Sequence, residues 1–116
     1  MKTPIIIKSE KCLNSISWIM RVGGITLWPF IIIRPNKNWI VVNHESIHIK
    51  QQQELLVIPF YLLYILEWFI GVFVHGSIMK SYYNISFEKE AYENQSNPNY
   101  LKTRKLFSWV KYIKRE

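Results

Sequence analysis

The sequence predicts an α+β fold that is mostly helical, built as one domain over residues 1–116. Three observations carry that expectation. Asn43-His44-Glu45-Ser46-Ile47-His48 opens a helix-favouring run that continues through Leu56. Ahead of it, residues 25–34 are rich in β-branched and aromatic side chains but contain Pro29, the pattern of a short edge strand or hairpin. Behind it, residues 55–79 are almost entirely apolar and aromatic, the pattern of one long helix. A chain of 116 residues holds one hydrophobic core and lacks room for a second.

In chain order, residues 1–8 read as extended, because Ile5, Ile6 and Ile7 are β-branched and bounded by Pro4 and Lys8. Residues 13–22 read as a short helix that Gly23-Gly24 ends, glycine being free to take the positive φ of a sharp exit. In the next run Ile31 to Ile33 reads as a core strand, and residues 24–28 are placed for an edge role beside the following helix. Pro35-Asn36-Lys37-Asn38 is turn chemistry, and Asn43 is a good N-cap for a helix that begins at His44 and breaks near Pro59. Residues 55–79 are long enough to span a bilayer, but Pro59 and Gly71 interrupt them. Glu67 near their centre would cost ~2.5 kcal/mol or more in lipid. A buried core helix and a membrane-embedded hairpin therefore both stay open. Ser86 reads as the cap of a helix over residues 87–94. Residues 101–115 interleave Lys102, Arg104, Lys105, Lys111, Lys114 and Arg115 with apolar side chains, an amphipathic basic helix pattern.

The 15 Lys and Arg outnumber the 8 Asp and Glu, for a formal net charge of +7 and a pI near 9.6. That balance admits anionic partners: a membrane surface, nucleic acid or an acidic substrate. No nucleic-acid motif accompanies it, which ranks nucleic acid last. The 5 tryptophans, 7 tyrosines and the basic tail favour association with a membrane, as a surface or by insertion through residues 55–79. Cys12 is the only cysteine, which excludes an internal disulfide and a cysteine-type zinc site and fits a reducing compartment. The apolar run at the N-terminus is too short for a cleavable signal peptide. Together these place the chain in the cytoplasm or on the inner membrane.

The chemistry concentrates in the H-E-x-x-H motif. Side chains four apart on a helix share a face, so His44 and His48 can offer two imidazole nitrogens to one metal ion. Glu45, rotated away, is placed to act as a general base on metal-bound water. A zinc ion held this way needs a third ligand from another element and keeps a fourth position open. Glu88 and Glu90, 40 and 42 residues after His48, are the candidates.

The H-E-x-x-H at residues 44–48 followed by Glu88-x-x-Ala91 resembles the gluzincin zinc metallopeptidases, whose third ligand is a glutamate on a downstream helix. More narrowly, Gly24 to Phe30, Asn43-His44-Glu45, Gln51-Gln52 and Ile85 to Tyr92 are similar to small bacterial proteins carrying a minimal zincin core. The resemblance implies such a core, with an edge strand beside the motif helix, Zn²⁺ held by His44, His48 and Glu88, and a peptide or protein substrate. It implies hydrolysis by zinc-activated water, with Glu45 as the catalytic base. It departs from the family pattern at Tyr92, where an acidic or amide residue often follows the ligand. Tyr82, Tyr83, Tyr92 and His75 are the side chains available as further donors. The other functional class is a membrane-associated structural or binding protein whose zinc site is structural or inactive.

Overall fold

A computed structural model describes residues 5–9, 24–34 and 38–113. The helix expected over residues 13–22 and Cys12 lie outside them, as do residues 114–116. The described chain is α+β and mostly helical. Three short strands come first: β1 (Ile5–Lys8), β2 (Gly24–Leu27) and β3 (Phe30–Ile33). Five helices follow: α1 (Trp39–Glu54), α2 (Ile58–His75), α3 (Ile78–Asn84), α4 (Ser86–Asn94) and α5 (Tyr100–Thr103). A 3₁₀ turn over Ser108–Tyr112 closes the described chain.

The sheet has the order β1-β3-β2. β3 pairs in parallel with β1, Ile6 opposite Ile31, and antiparallel with β2, Thr26 opposite Ile31. Trp28 and Pro29 form the turn between β2 and β3, so the proline interrupts the run as a hairpin and leaves β2 on the edge. Alternation puts Ile31 and Ile33 of the central strand on one face, where they pack against Val41, Val42 and Ile49 of α1. A second cluster joins Phe60 of α2, Tyr82 of α3, Ile85, Phe87 of α4 and Trp109.

α1 differs from its expected bounds. It starts at Trp39, with the Asn38 side chain accepting from the Ile40 N–H as its cap. Asn43, expected to cap, lies inside the helix and donates from Nδ2 to the carbonyls of Gln95 and Asn97. The run Trp39-Ile40-Val41-Val42 has the composition of a strand but forms the first turn of the helix, with Val41 and Val42 packed on the sheet. α1 ends at Glu54 and α2 carries Pro59 in its first turn, where a missing N–H costs nothing.

Ser86 also differs from expectation. It is the first residue of α4 and not its cap; Glu67 of α2 does the capping. Glu67 accepts from the Ser86 N–H at 2.9 Å and from the Ser86 hydroxyl at 2.7 Å. The one charge in the apolar run is thus consumed at a helix N-terminus, where a carboxylate is favourable. Gly71 is required on the same side of α2: a Cβ there would overlap the Ser81 side chain of α3.

The basic tail does not form one amphipathic helix. α5 is a single turn, the chain then extends, and Arg104 turns inward to two carboxylates. It donates from both terminal nitrogens to Glu54 of α1 and from Nε to Glu90 of α4. Its side chain is only 3% exposed. Glu90 also accepts from Tyr100 and Gln51. Burial alone would raise the Glu90 carboxyl, and the bonds from Arg104, Tyr100 and Gln51 outweigh it and hold it below the usual carboxylate range. Stability from that depressed group is full above its unfolded value, near ~4, and is lost as pH falls below it.

Arg104→Met would leave two buried carboxylates without their cation. It should cost ~3–5 kcal/mol in chemical denaturation at neutral pH, far above the ~0–1 kcal/mol of a surface pair. A loss within the surface range would contradict this role for Arg104.

Candidate metal centre

α1 is buried on two sides, by the sheet and by α4, and this explains its polar interior. On the sheet side stand Glu45, Ile49 and Gln52; toward α4 stand His44, Ile47 and Gln51. His48 lies one turn after His44, and the two ring centroids are 5.0 Å apart. α4 presents Glu88 to both. Its Oε1 is 3.1 Å from His44 Nε2, and its Oε2 is 3.2 Å from His48 Nε2. One ligand atom from each of the three residues lies within 4.8 Å of the others, and all three are buried.

Each histidine spends its other nitrogen on an amide. His44 Nδ1 donates to Gln95 Oε1 at 2.8 Å, and His48 Nδ1 donates to Gln51 Oε1 at 2.7 Å. The Gln51 amide cannot turn round, because its Nε2 already donates to the Phe87 carbonyl and to Glu90 Oε1. The network therefore assigns a proton to Nδ1 of His48, and the Nε2 atoms of both rings face Glu88 at the centre. His48 Nε2 is close to Glu88 but off the line of a hydrogen bond, so this buried nitrogen makes none. Beside the Glu88 carboxylate this nitrogen suits a cation, which in the metal-free protein is a proton on His48. The donor types suit a metal ion: two imidazole nitrogens and a carboxylate, one atom from each lying within 4.8 Å of the others.

Burial works against a charge on His48, and the carboxylates of Glu88 and Glu45 overcome it, raising its pKa to about 9. Glu88 shows the converse. Burial would raise its carboxyl, but His48 and His44 hold it well below the usual carboxylate range. Two tyrosines complete its surroundings: Tyr64 of α2 donates to Oε2 at 2.6 Å, and the Tyr82 hydroxyl lies 3.3 Å from Oε1.

Glu45 is held separately. The Thr26 hydroxyl of β2 donates to its Oε1 at 2.7 Å, which leaves Oε2 on the side of His44 Nε2, 3.9 Å away. Gly24 permits this approach of β2 to α1, since a Cβ there would come within 3.3 Å of Glu45 Cγ. Gln52 ties the same strand to α1, accepting from the Trp28 N–H and donating to the Thr26 carbonyl. Between β2 and the first turns of α2 lies a cleft of about 250 Å³, with Glu45, His48 and Glu88 on its wall. Leu27, Phe60 and Tyr61 give it an apolar lining.

The fold thus brings His44, Glu45, His48 and Glu88 together. Glu90 meets Gln51, Tyr100 and Arg104 instead and reaches the centre only through Gln51. Of the tyrosines read as available, Tyr82 is at the site and Tyr92 packs its ring edge on His44 at 4.4 Å. Tyr83 is exposed outside them, and His75 is exposed in the last turn of α2. Sequence reading assigned no role to Thr26, Tyr64 or Gln95, and it noted Gln51 only as part of a motif. Gln51, three residues after His48, was the one with a local signal, because residues three apart share a helix face. Comparison with known protein families, with curated proteins and with solved structures finds no match to this chain.

Metal-free protein carries a proton on His48 at neutral pH, since its pKa is about 9. A metal must displace that proton. Affinity should therefore rise with pH until about 9, and titration calorimetry in buffers of different ionisation heat should show about one proton released per metal at pH 7. Proton-neutral binding at pH 7 would contradict this account of the centre. Glu88→Ala should weaken binding far more than Glu90→Ala, measured on the same titration; the opposite order would move the third ligand to Glu90.

Proposed function

We propose that this protein is a zinc-dependent hydrolase acting on peptide or protein substrates, with His44, His48 and Glu88 as metal ligands and Glu45 as general base. The observation that carries the reading is the pairing of a buried three-donor centre with a separately held carboxylate on the wall of an open cleft. On this reading α1, flanked by β2 and α4, is a minimal zincin-like core, in keeping with the gluzincin resemblance of its motif. Two imidazoles and one carboxylate suit zinc, whose tetrahedral sites take nitrogen and oxygen donors and keep the fourth position open when catalytic.

Zinc, when bound, supplies Lewis acidity that brings the pKa of a coordinated water down toward neutrality. Glu45 would accept a proton from the attacking water and return it to the leaving amine nitrogen. Thr26 serves by holding one Glu45 oxygen, so the other is aimed at the reacting position. Gln51 fixes the His48 tautomer that metal binding requires, and Gln95 holds the second ring nitrogen of His44. An extended peptide laid along β2 would place its carbonyl beside Glu45, with one apolar side chain toward Leu27, Phe60 and Tyr61. A cleft reaching the ligands argues against a purely structural site, which is closed by a fourth protein donor.

Glu45→Gln preserves shape and hydrogen bonding while removing the base. On unstructured peptides with apolar side chains it should hydrolyse slower by roughly two orders of magnitude or more, with zinc content near wild type. His44→Ala should lose zinc and activity together. Wild-type protein that binds zinc yet leaves every peptide intact, or Glu45→Gln that cleaves as fast as wild type, would overturn the hydrolase reading.

A further inference from the structure

α2 has its polarity turned inside out. Its only charged residue, Glu67, and the Tyr64 hydroxyl point into the protein, to Ser86 and Glu88. On the outer side Leu62, Leu66, Phe69, Phe73 and Val74 are between 53% and 76% exposed. At 100° per residue these five fall on one half of the helix, in a stripe that runs almost its full length. A water-facing helix has the opposite distribution, polar outside and apolar toward the core. The helix is 18 residues long with a mean hydropathy of 1.6, and only 6% of it is buried.

We propose that this outer face of α2 is seated in an anionic lipid bilayer, the helix lying along the interface with its outer half among the acyl chains. The inner half excludes a simple crossing. Along its length it is packed on protein: Phe60 on Phe87 at 4.6 Å, Glu67 on Ser86, and Trp68 on α3 through the Ile78 carbonyl and the Ser81 hydroxyl. Lipid can therefore reach one side only, as for an interfacial helix.

Charge identifies the surface. The net charge is +7, and exposed Lys105 and Lys111 alternate with exposed Leu106, Phe107 and Val110. That segment adjoins the start of α2, because the Phe107 N–H donates to Glu54 at the end of α1 and Trp109 packs on Phe87. Exposed lysines and apolar side chains on a chain of net positive charge suit anionic headgroups above acyl chains. Seated this way, the cleft lies on the opposite side of α2, about one helix diameter, ~10 Å, from the lipid.

The test is flotation of the full chain with vesicles of phosphatidylcholine and phosphatidylglycerol in equal parts, at low salt. Wild-type protein should float. The double variant Phe69→Asp/Phe73→Asp, both sites exposed and touching each other but not the core, should partition roughly a hundredfold less with an unchanged unfolding curve. Wild-type protein that stays at the bottom overturns the proposal whatever the variant does. So does a double variant that floats equally well, or a stable dimer in solution that the two substitutions dissociate and that ignores vesicles.

Discussion

The carboxylate of Glu88 is the constraint on which the rest of this structure depends. It is 4% exposed, and an ionised carboxylate that far from water would cost several kcal/mol without compensation. Compensation comes from three elements at once: His44 and His48 of α1, Tyr64 of α2 and Tyr82 of α3. Each contact fixes the position of a helix relative to α4. Glu67 capping α4 from α2 and Arg104 joining α1 to α4 hold α1, α2 and α4 together at further contacts. The helices cannot shift without uncovering a charge. Such an arrangement holds donors in place before any ion arrives, which is what a metal centre requires.

A chain of polar contacts leads outward from the centre. Arg104 holds Glu90, Glu90 holds the Gln51 amide, and Gln51 sets the tautomer of His48. Residues after α5 thereby bear on a ligand in α1. A charge-assisted bond restricts each link more than a neutral one would. The same contacts explain why Glu90 is buried although it lies outside the metal position.

What was legible in the sequence was what is local. His44, Glu45 and His48 are encoded by helical spacing, and the Pro29 interruption and the apolar run of residues 55–79 announced a hairpin and a long helix. What was not legible depends on tertiary packing. Trp39 to Val42 have strand propensity but form the first turn of α1, where Val41 and Val42 pack on the sheet. Glu67 read as a flaw in an apolar helix, and its purpose is visible only when Ser86 is brought beside it. Arg104 read as one more cation of a basic tail, but it is an internal tie between residues 50 and 14 positions upstream. The bonds of Thr26 and Gln95 were not legible, since nothing beside these residues in sequence refers to Glu45, 19 positions after Thr26, or to His44, 51 positions before Gln95.

The apolar outer face of α2 and the polar centre on its inner face belong to one helix, which makes the burial of Glu88 and the exposure of the stripe two sides of one packing solution. The central claim is that His44, His48 and Glu88 hold one metal ion between them. Crystals of the zinc-loaded protein, recorded on either side of the zinc absorption edge, test it most directly. The account predicts one anomalous peak about 2 Å from both Nε2 atoms and from a Glu88 oxygen, with a fourth position facing the cleft. No peak there, with His48 protonated against Glu88, or a peak bounded by other side chains, would contradict it.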